Sequence, residues 1–348
     1  MCGSPLPRVQ NASALPSWVS QMPQEAVDAT VIPGSFDPLK VWPHCAPIIG
    51  HVRNQGPCGD CWAFGGTQMM QDRFCVVTGK NDSSQLLSVE DVIACMDQFI
   101  GTPGQGCGGG DPINTYYYMG HEGIVSGGDY GDVSADTCLP YLVPPSARGT
   151  RLVSTVPTPK CAGQNKTWNH PFCVSGYKKA NYTGDKRVAS TFTCPGGSAG
   201  VKCIQAGLMS GSGATGMEVF GDIWSYKSGL YKCGNRTGGS GHAVVLVGWG
   251  TDTNGTDYWR VKNSWGPKWG DGGFFNIQRG INECGIEGCA RHLGPCLPTP
   301  PLPPSVWPSP PRTQATIYLL PPPRLLPPTR RPAIPVPALG CCLFAAVR

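Results

Sequence analysis

Eighteen cysteines in a chain of 348 residues constrain the fold more than any other feature of this sequence. Such a density is out of place in a reducing compartment and marks a disulfide-stapled protein of the secretory pathway. Six N-x-S/T tripeptides, at Asn11, Asn81, Asn165, Asn181, Asn235 and Asn254, agree with that compartment. The opening M-C-G-S-P-L-P-R-V-Q-N-A-S lacks a basic flank followed by an apolar stretch, so no signal peptide is visible. The true N-terminus is therefore expected to be missing from this sequence. No run of eighteen apolar residues occurs, which argues against a membrane-spanning helix.

Charged residues make up only 14% of the chain, while 48 glycines and 36 prolines point to a loop-rich globular protein rather than a helical bundle. The net charge of +5 would invite a nucleic-acid or anionic-surface partner if it lay on the folded body. It does not. The composition changes near residue 295; from Pro295 onward 17 of 54 residues are proline, and no acid follows Glu287. Six arginines lie beyond Cys289, leaving 21 basic against 22 acidic residues in the remainder. No nucleic-acid partner is implied. The segment P-T-P-P-L-P-P-S-V-W-P-S-P-P-R cannot donate to a ladder or continue a helix, and is expected to be extended polyproline or disordered. A docking ligand for a proline-reading domain and an erroneous reading frame are the alternatives.

Ahead of that tail the texture divides in two. Helical spacing runs from Cys61 through Val77, carried by Trp62, Phe64, Met69, Met70 and Phe74. Gly65 and Gly66 interrupt it and ask for a close packing partner. In S-V-E-D-V-I-A-C-M, Ser88 reads as a helix cap to which Asp91 can reach back. From about residue 243 the runs A-V-V-L-V-G-W-G, Y-W-R-V-K-N-S-W and G-F-F-N-I-Q-R are short, β-branched or aromatic, and punctuated by Gly, Asn and Asp. A helical first half and a β second half imply two lobes with a site in the cleft between them.

The chemistry gathers in N-Q-G-P-C-G-D-C-W-A-F, residues 54–64. Cys61 falls at the first turn of the expected helix, where the positive end of the helix dipole favours thiolate. A thiolate nucleophile needs a base or ion-pair partner, and His242, at the entrance of an apolar strand, suits that role. Asn263, at the end of the next strand, can orient its ring. Gln55 can offer a side-chain N–H to the oxyanion formed when a thiolate attacks a carbonyl. Taken singly, each also fits a structural role: a disulfide half for Cys61, a packed ring for His242. Their joint occurrence favours thiol acyl transfer. Cys58-x-x-Cys61 alternatively reads as a redox pair or half a zinc site, but neither a compact βαβ context nor a second close ligand pair accompanies it. No metal and no cofactor is implied.

These residues resemble the papain-like cysteine proteases, and within them the cathepsin B type, from about Ile32 to about Ala290. The resemblance implies an α+β, papain-like two-lobed fold: a helical left lobe, a β-barrel-like right lobe and an active-site cleft between. It divides the chain into an N-terminal remnant (1–31), a peptidase domain (32–294) and the disordered tail (295–348). By position it makes Cys61 the nucleophile, His242 its imidazolium partner, Asn263 the orienter, Gln55 the oxyanion donor and Trp265 the shield over the Asn–His pair. Gly109, Gly110 and Gly241 would run along the substrate backbone, with Pro112 and Ala243 walling the pocket for the residue preceding the cleaved one. It implies the disulfides Cys45–Cys75, Cys58–Cys107, Cys95–Cys161 and Cys138–Cys173. Setting the nucleophile aside leaves an odd number of cysteines, with Cys2, Cys341 and Cys342 the candidates for a free or intermolecular thiol. Peptide or protein substrates are implied, with a propeptide or a cystatin-like inhibitor as further partners. The expected place of action is the lysosome, another acidic endocytic compartment, or the extracellular space.

Four departures qualify that resemblance. Residue 60 is Asp where the family usually has Ser or Ala; pointing inward it would raise the pKa of the neighbouring thiol, but it is expected to face solvent. The adjacent His-His pair that anchors a substrate C-terminus in cathepsin B has no counterpart between Cys138 and Cys173, where only His170 occurs; His170, Arg148 or Arg151 could substitute, but an endopeptidase is expected. The acidic residue that accepts a basic substrate side chain falls on Cys289, which should favour apolar side chains. Thirty-one residues ahead of the matched region are too few for both a signal peptide and an inhibitory propeptide. A catalytically impaired binding protein on the same scaffold, and a dipeptidyl carboxypeptidase, are the competing readings.

Overall fold

In the computed structural model the described residues are 19–21, 24–100, 106–132, 136–145, 173–174, 176–177, 180–193, 200–234, 239–287 and 343–347. The helices are α1 (Gln24–Ala29), α2 (Pro38–Val41), α3 (Ala46–Ile49), α4 (Cys61–Thr78), α5 (Val89–Ile100), α6 (Pro112–His121) and α7 (Val201–Leu208). The strands are β1 (Val19–Gln21), β2 (Ala189–Thr193), β3 (Gly213–Val219), β4 (Leu230–Tyr231), β5 (Ser240–Thr251), β6 (Asp257–Lys262), β7 (Phe274–Gln278) and β8 (Leu343–Val347).

Helix α4 is buried on all sides from Cys61 to Cys75, which is why its apolar residues form no single stripe. The two glycines inside it have packing reasons. A Cβ on Gly66 would lie 2.5 Å from the Cβ of Thr115 on α6, and one on Gly65 would already touch Ala243 of β5 at 3.4 Å. Gly79, at φ +71°, ends the helix in the left-handed conformation that glycine adopts without strain. At the start of α5, Ser88 Oγ accepts from the Asp91 amide at 2.9 Å, as a cap should. The reciprocal contact expected of Asp91 does not form. Its carboxylate instead accepts from Tyr118 (3.0 Å), Tyr182, the Val125 amide (3.1 Å) and Lys186 (2.9 Å), and the Ser88 amide donates to the Val125 carbonyl at 2.9 Å.

The second half of the body is a mixed sheet in the order β3-β5-β6-β7-β4, antiparallel except for the β4–β7 pair. The outer strands β3 and β4 are not paired with each other among the described residues. One core gathers Trp62, Phe64 and Met69 of α4 with α5, α6 and the inner face of β5. The other lies under the sheet, around Trp249, Trp259, Phe275 and Ile277, and is covered by α7. Strand β5 contributes to both, and α4 ends against it, so the N-terminus of α4 and the start of β5 meet where the cores adjoin.

The proline-rich segment lies outside the described residues. Beyond it, β8 pairs antiparallel with β2, while β1, from within residues 1–31, pairs parallel on the other edge of β2. Leu343–Val347 contains no proline, so every amide there can donate to a ladder.

Candidate active site

Two backbone segments are zipped together to build the site. The Gln55 amide donates to the Ser264 carbonyl at 2.9 Å, the Gly266 amide donates to the Arg53 carbonyl at 3.0 Å, and Asn54 bridges Trp265. Gln55 is thereby laid beside Asn263. Its side chain is sealed from water and held at both ends: Oε1 accepts from Ser264 Oγ at 2.7 Å, and Nε2 donates to the Cys58 carbonyl at 2.8 Å. One N–H of that amide remains for a ligand.

His242 is the third residue of β5, just ahead of its apolar run, and its Nε2 is 2.8 Å from Asn263 Oδ1. The same Oδ1 accepts from the Ser264 amide at 2.8 Å, which identifies that atom as the oxygen. His242 Nε2 must then carry a proton, which leaves Nδ1 as the ring nitrogen not engaged by Asn263. Cys61 Sγ accepts from the backbone amide of Ala243, the residue after the histidine, at 3.2 Å. The sulfur is engaged here in a disulfide whose other half is not among the described residues; it stands in for the thiol or thiolate that a reaction requires. With the sulfur so capped, burial pulls His242 down to about 4, against the opposing pull of its bond to Asn263. An imidazolium at this position therefore depends on a neighbouring negative charge.

Trp265 stacks on the His242 ring with centroids 4.7 Å apart, and Trp224 stacks on the other face of Trp265 at 4.2 Å. Beneath these rings His242 and Asn263 are both buried. The Cys58–Cys107 disulfide and the bond from the Gly59 amide to the Cys107 carbonyl (2.9 Å) tie the turn at residues 106–112 to the loop that precedes Cys61. Gly109 has φ +115°, which excludes a side chain on conformational grounds. Gly110 is fixed by packing, since a Cβ there would lie 2.6 Å from the Trp62 indole. Pro112 opens α6, Gly241 and Ala243 flank His242 on β5, and a Cβ on Gly241 would meet open space. Thus Cys61, His242, Asn263, Gln55 and Trp265 come together, with Gly109, Gly110, Pro112, Gly241 and Ala243 around them. Cys289, His170, Arg148 and Arg151 lie outside the described residues.

Asp60 corrects an expectation. It does not face solvent; its side chain is 0% exposed, and burial pushes its carboxyl up to about 8. Tyr141, 81 residues further along the chain, folds over it and bonds to Oδ2 at 2.8 Å. No local pattern could reveal that neighbour. The disulfides Cys45–Cys75, Cys58–Cys107 and Cys138–Cys173 are formed. Cys95 is also disulfide-bonded, and Cys161 lies outside the described residues. Sequence reasoning missed Cys233–Cys284, a bridge across 51 residues that pins the strand-β4 corner, and it missed Trp224 and Ser264 as supports of the site.

Comparison with known proteins bears on the whole body. The papain family of cysteine proteases matches residues 32–292. Two relatives from Caenorhabditis elegans, cathepsin B-like cysteine proteinase 4 and a gut-specific cysteine proteinase, are each 38% identical over 268 residues. Those alignments span 75% and 76% of this chain and 75% and 74% of the relatives. Among solved structures, procathepsin B S9 from Trypanosoma congolense superposes with a TM-score of 0.61 at 29% identity, covering 80% of this chain and 81% of that one.

Proposed function

The chain belongs to the papain family of cysteine proteases, and on that premise we propose that it is an endopeptidase whose nucleophile is Cys61. The observation that carries this reading is the alignment of His242 Nε2 on Asn263 Oδ1 with Cys61 Sγ held against the next residue's amide. In the reaction the thiolate of Cys61 attacks the scissile carbonyl carbon, and its oxygen takes up the electron pair. The free N–H of the Gln55 amide and the amide at the N-terminus of α4 receive that oxyanion. His242 Nδ1–H gives its proton to the leaving amine as the C–N bond breaks, leaving a thioester on Cys61. A water molecule, deprotonated by Nδ1, then attacks the thioester; the acyl group leaves as a carboxylic acid, and the thiolate and imidazolium are restored. Asn263 keeps the ring in the orientation both steps need, and Trp265 keeps their common space dry.

Residues 32–294 are read as the peptidase body, with residues 1–31 before it and the proline-rich tail after it. Gly109, Gly110 and Gly241 would let a substrate backbone approach closely, and Pro112 and Ala243 would wall its side-chain pocket, with Cys289 at its base. Cysteine in place of an acid there favours apolar side chains over arginine. Absence of an adjacent His-His pair supports internal cleavage over removal of C-terminal dipeptides. A propeptide or a cystatin-like inhibitor would occupy the same cleft. An acidic endocytic compartment or the extracellular space fits the cysteine content, and Asn81, Asn181 and Asn254 are exposed where a glycan could be attached.

Labelling of the reduced native protein with a peptide electrophile, followed by mass mapping, tests the nucleophile: modification elsewhere than Cys61 would sink the reading. Cleavage of an internally quenched peptide with a free C-terminus, compared with its amide, tests the mode. Equal cleavage of both is expected; dipeptide release abolished by amidation would make this a dipeptidyl carboxypeptidase.

A further inference from the structure

Asp60 immediately precedes the nucleophile at the mouth of α4, yet its side chain makes no capping bond to the helix. It turns inward instead. Oδ2 lies 2.8 Å from Tyr141 Oη, and Tyr141 Oη also lies 2.8 Å from the backbone carbonyl oxygen of Gln55. A hydroxyl has one proton, and a backbone carbonyl can only accept. If Tyr141 donates to Gln55, the contact with Asp60 is a hydrogen bond only when Asp60 supplies the proton. The second carboxyl oxygen, Oδ1, is buried without any partner. An ionised carboxylate in that position would have only Tyr141, its own backbone amide and the field of Arg53 to set against its burial, and burial outweighs them, whereas a neutral acid leaves one unsatisfied oxygen.

The other titratable and charged groups facing Asp60 do not change this. Arg53 is engaged elsewhere, by Asp129 at 2.8 Å and by the carbonyls of Leu87 and Gly128 at 2.8 and 2.7 Å. Asp129 in turn is bonded to His51 at 2.7 Å. Glu90 of α5 accepts from the Leu142 amide at 3.1 Å, and burial pushes it up to about 7. Glu90 is therefore a further source of repulsion for a negative Asp60. Cys61 follows Asp60 directly, and the His242 imidazole lies beyond the sulfur.

We propose that Asp60 works as a neutral carboxylic acid that positions the oxyanion donor: its proton bonds to Tyr141 Oη, and Tyr141 bonds to the Gln55 carbonyl. This rests on the reading of Cys61 as nucleophile and Gln55 as oxyanion donor. The relay ties the Gln55 segment to the start of α4 and keeps a negative charge away from the thiolate. A carboxylic acid held neutral so that it can donate is a known use of an apolar site. When Asp60 loses its proton, Tyr141 can serve only one of its two acceptors, and the new charge raises the thiol's own affinity for a proton. The enzyme thus carries a second alkaline limit besides the neutralisation of His242.

The test uses the full-length reduced protein with 13C-labelled aspartate and its Asp60→Asn variant. Infrared difference spectra at pH 6, where ordinary aspartates are ionised, are expected to show the carbonyl band of one protonated aspartic acid that Asp60→Asn removes. That band should titrate away near pH 8, the value to which burial lifts this carboxyl. In parallel, kcat/KM is followed against pH, each protein normalised to its own maximum; the alkaline limb is expected to hold two ionisations in the parent and one in the variant. Absence of the band, or superimposable alkaline limbs, overturns the proposal. If Asp60→Asn does not fold, the titration of the labelled parent band alone decides. A band that is present while Cys61 resists every electrophile would strike instead at the peptidase reading and leave the neutral acid standing.

Discussion

Lys262 Nζ lies 2.9 and 2.8 Å from the two carboxylate oxygens of Asp72, and both side chains are fully buried. Asp72 also accepts from Ser212 Oγ at 2.6 Å, and Lys262 also donates to the Ile49 carbonyl at 3.1 Å. The pair joins α4, which starts at Cys61, to the end of β6, whose next residue is Asn263. It is a bolt between the helical side and the sheet side, placed behind the site.

Replacing only one partner strands a buried charge. Lys262→Met is therefore expected to cost about 3–5 kcal/mol, while Lys262→Met combined with Asp72→Leu recovers most of that loss. Denaturant midpoints of the two variants measure the difference. A single variant within about 1 kcal/mol of the parent would show that the pair does not join the two sides; that bound lies well under the range for breaking a buried pair.

Gln55→Ala should lower kcat by about 10²–10³, or roughly 3 kcal/mol, with much less effect on KM, because its N–H meets charge that develops only in the transition state. Steady-state kinetics on a peptide amide separate the two constants. A rise in KM at constant kcat would assign Gln55 to ground-state binding instead.

His242 should titrate near 4 once Cys61 is alkylated by a small neutral group, since burial then acts without a compensating charge. With the thiol free, the thiolate holds the imidazolium, and the ring should titrate higher. NMR of the ring protons across pH reads both states, and identical midpoints would remove the ion pair from the mechanism.

Stability should fall as pH rises across the neutral range. Asp60 and Glu90 are raised by burial, to about 8 and about 7, so the folded state binds protons that the unfolded chain has already released. Their contribution is complete below the ordinary carboxyl range near 4, and is lost progressively as pH climbs to those two values. Asp60→Asn and Glu90→Gln are each expected to flatten the slope of unfolding free energy between pH 5 and 8, as followed by denaturant titration. Slopes unchanged in both variants would contradict the burial argument.

What the sequence disclosed follows from how local each signal is. The helix from Cys61 was legible because its dense run of apolar residues and its dipole-facing cysteine lie within one short stretch. The strand runs around His242 and Asn263 were legible for the same reason. Asp60 was not, because its direction is set by Tyr141, and nothing near residue 60 announces a hydroxyl 81 residues away. Asp91 failed in the same manner: the cap geometry was sound, but Tyr118, Tyr182 and Lys186 compete for its carboxylate and win. The Cys233–Cys284 bridge joins residues whose surroundings carry no pairing signal, and only the fold of the sheet brings them together.

The stack of Trp224, Trp265 and His242 gives the protein an optical reporter of its own chemistry. An imidazolium quenches an adjacent excited indole more strongly than a neutral imidazole does. The emission of Trp265 should therefore brighten when the ring beside it loses its proton, so that light from one tryptophan records the charge state on which each turnover depends.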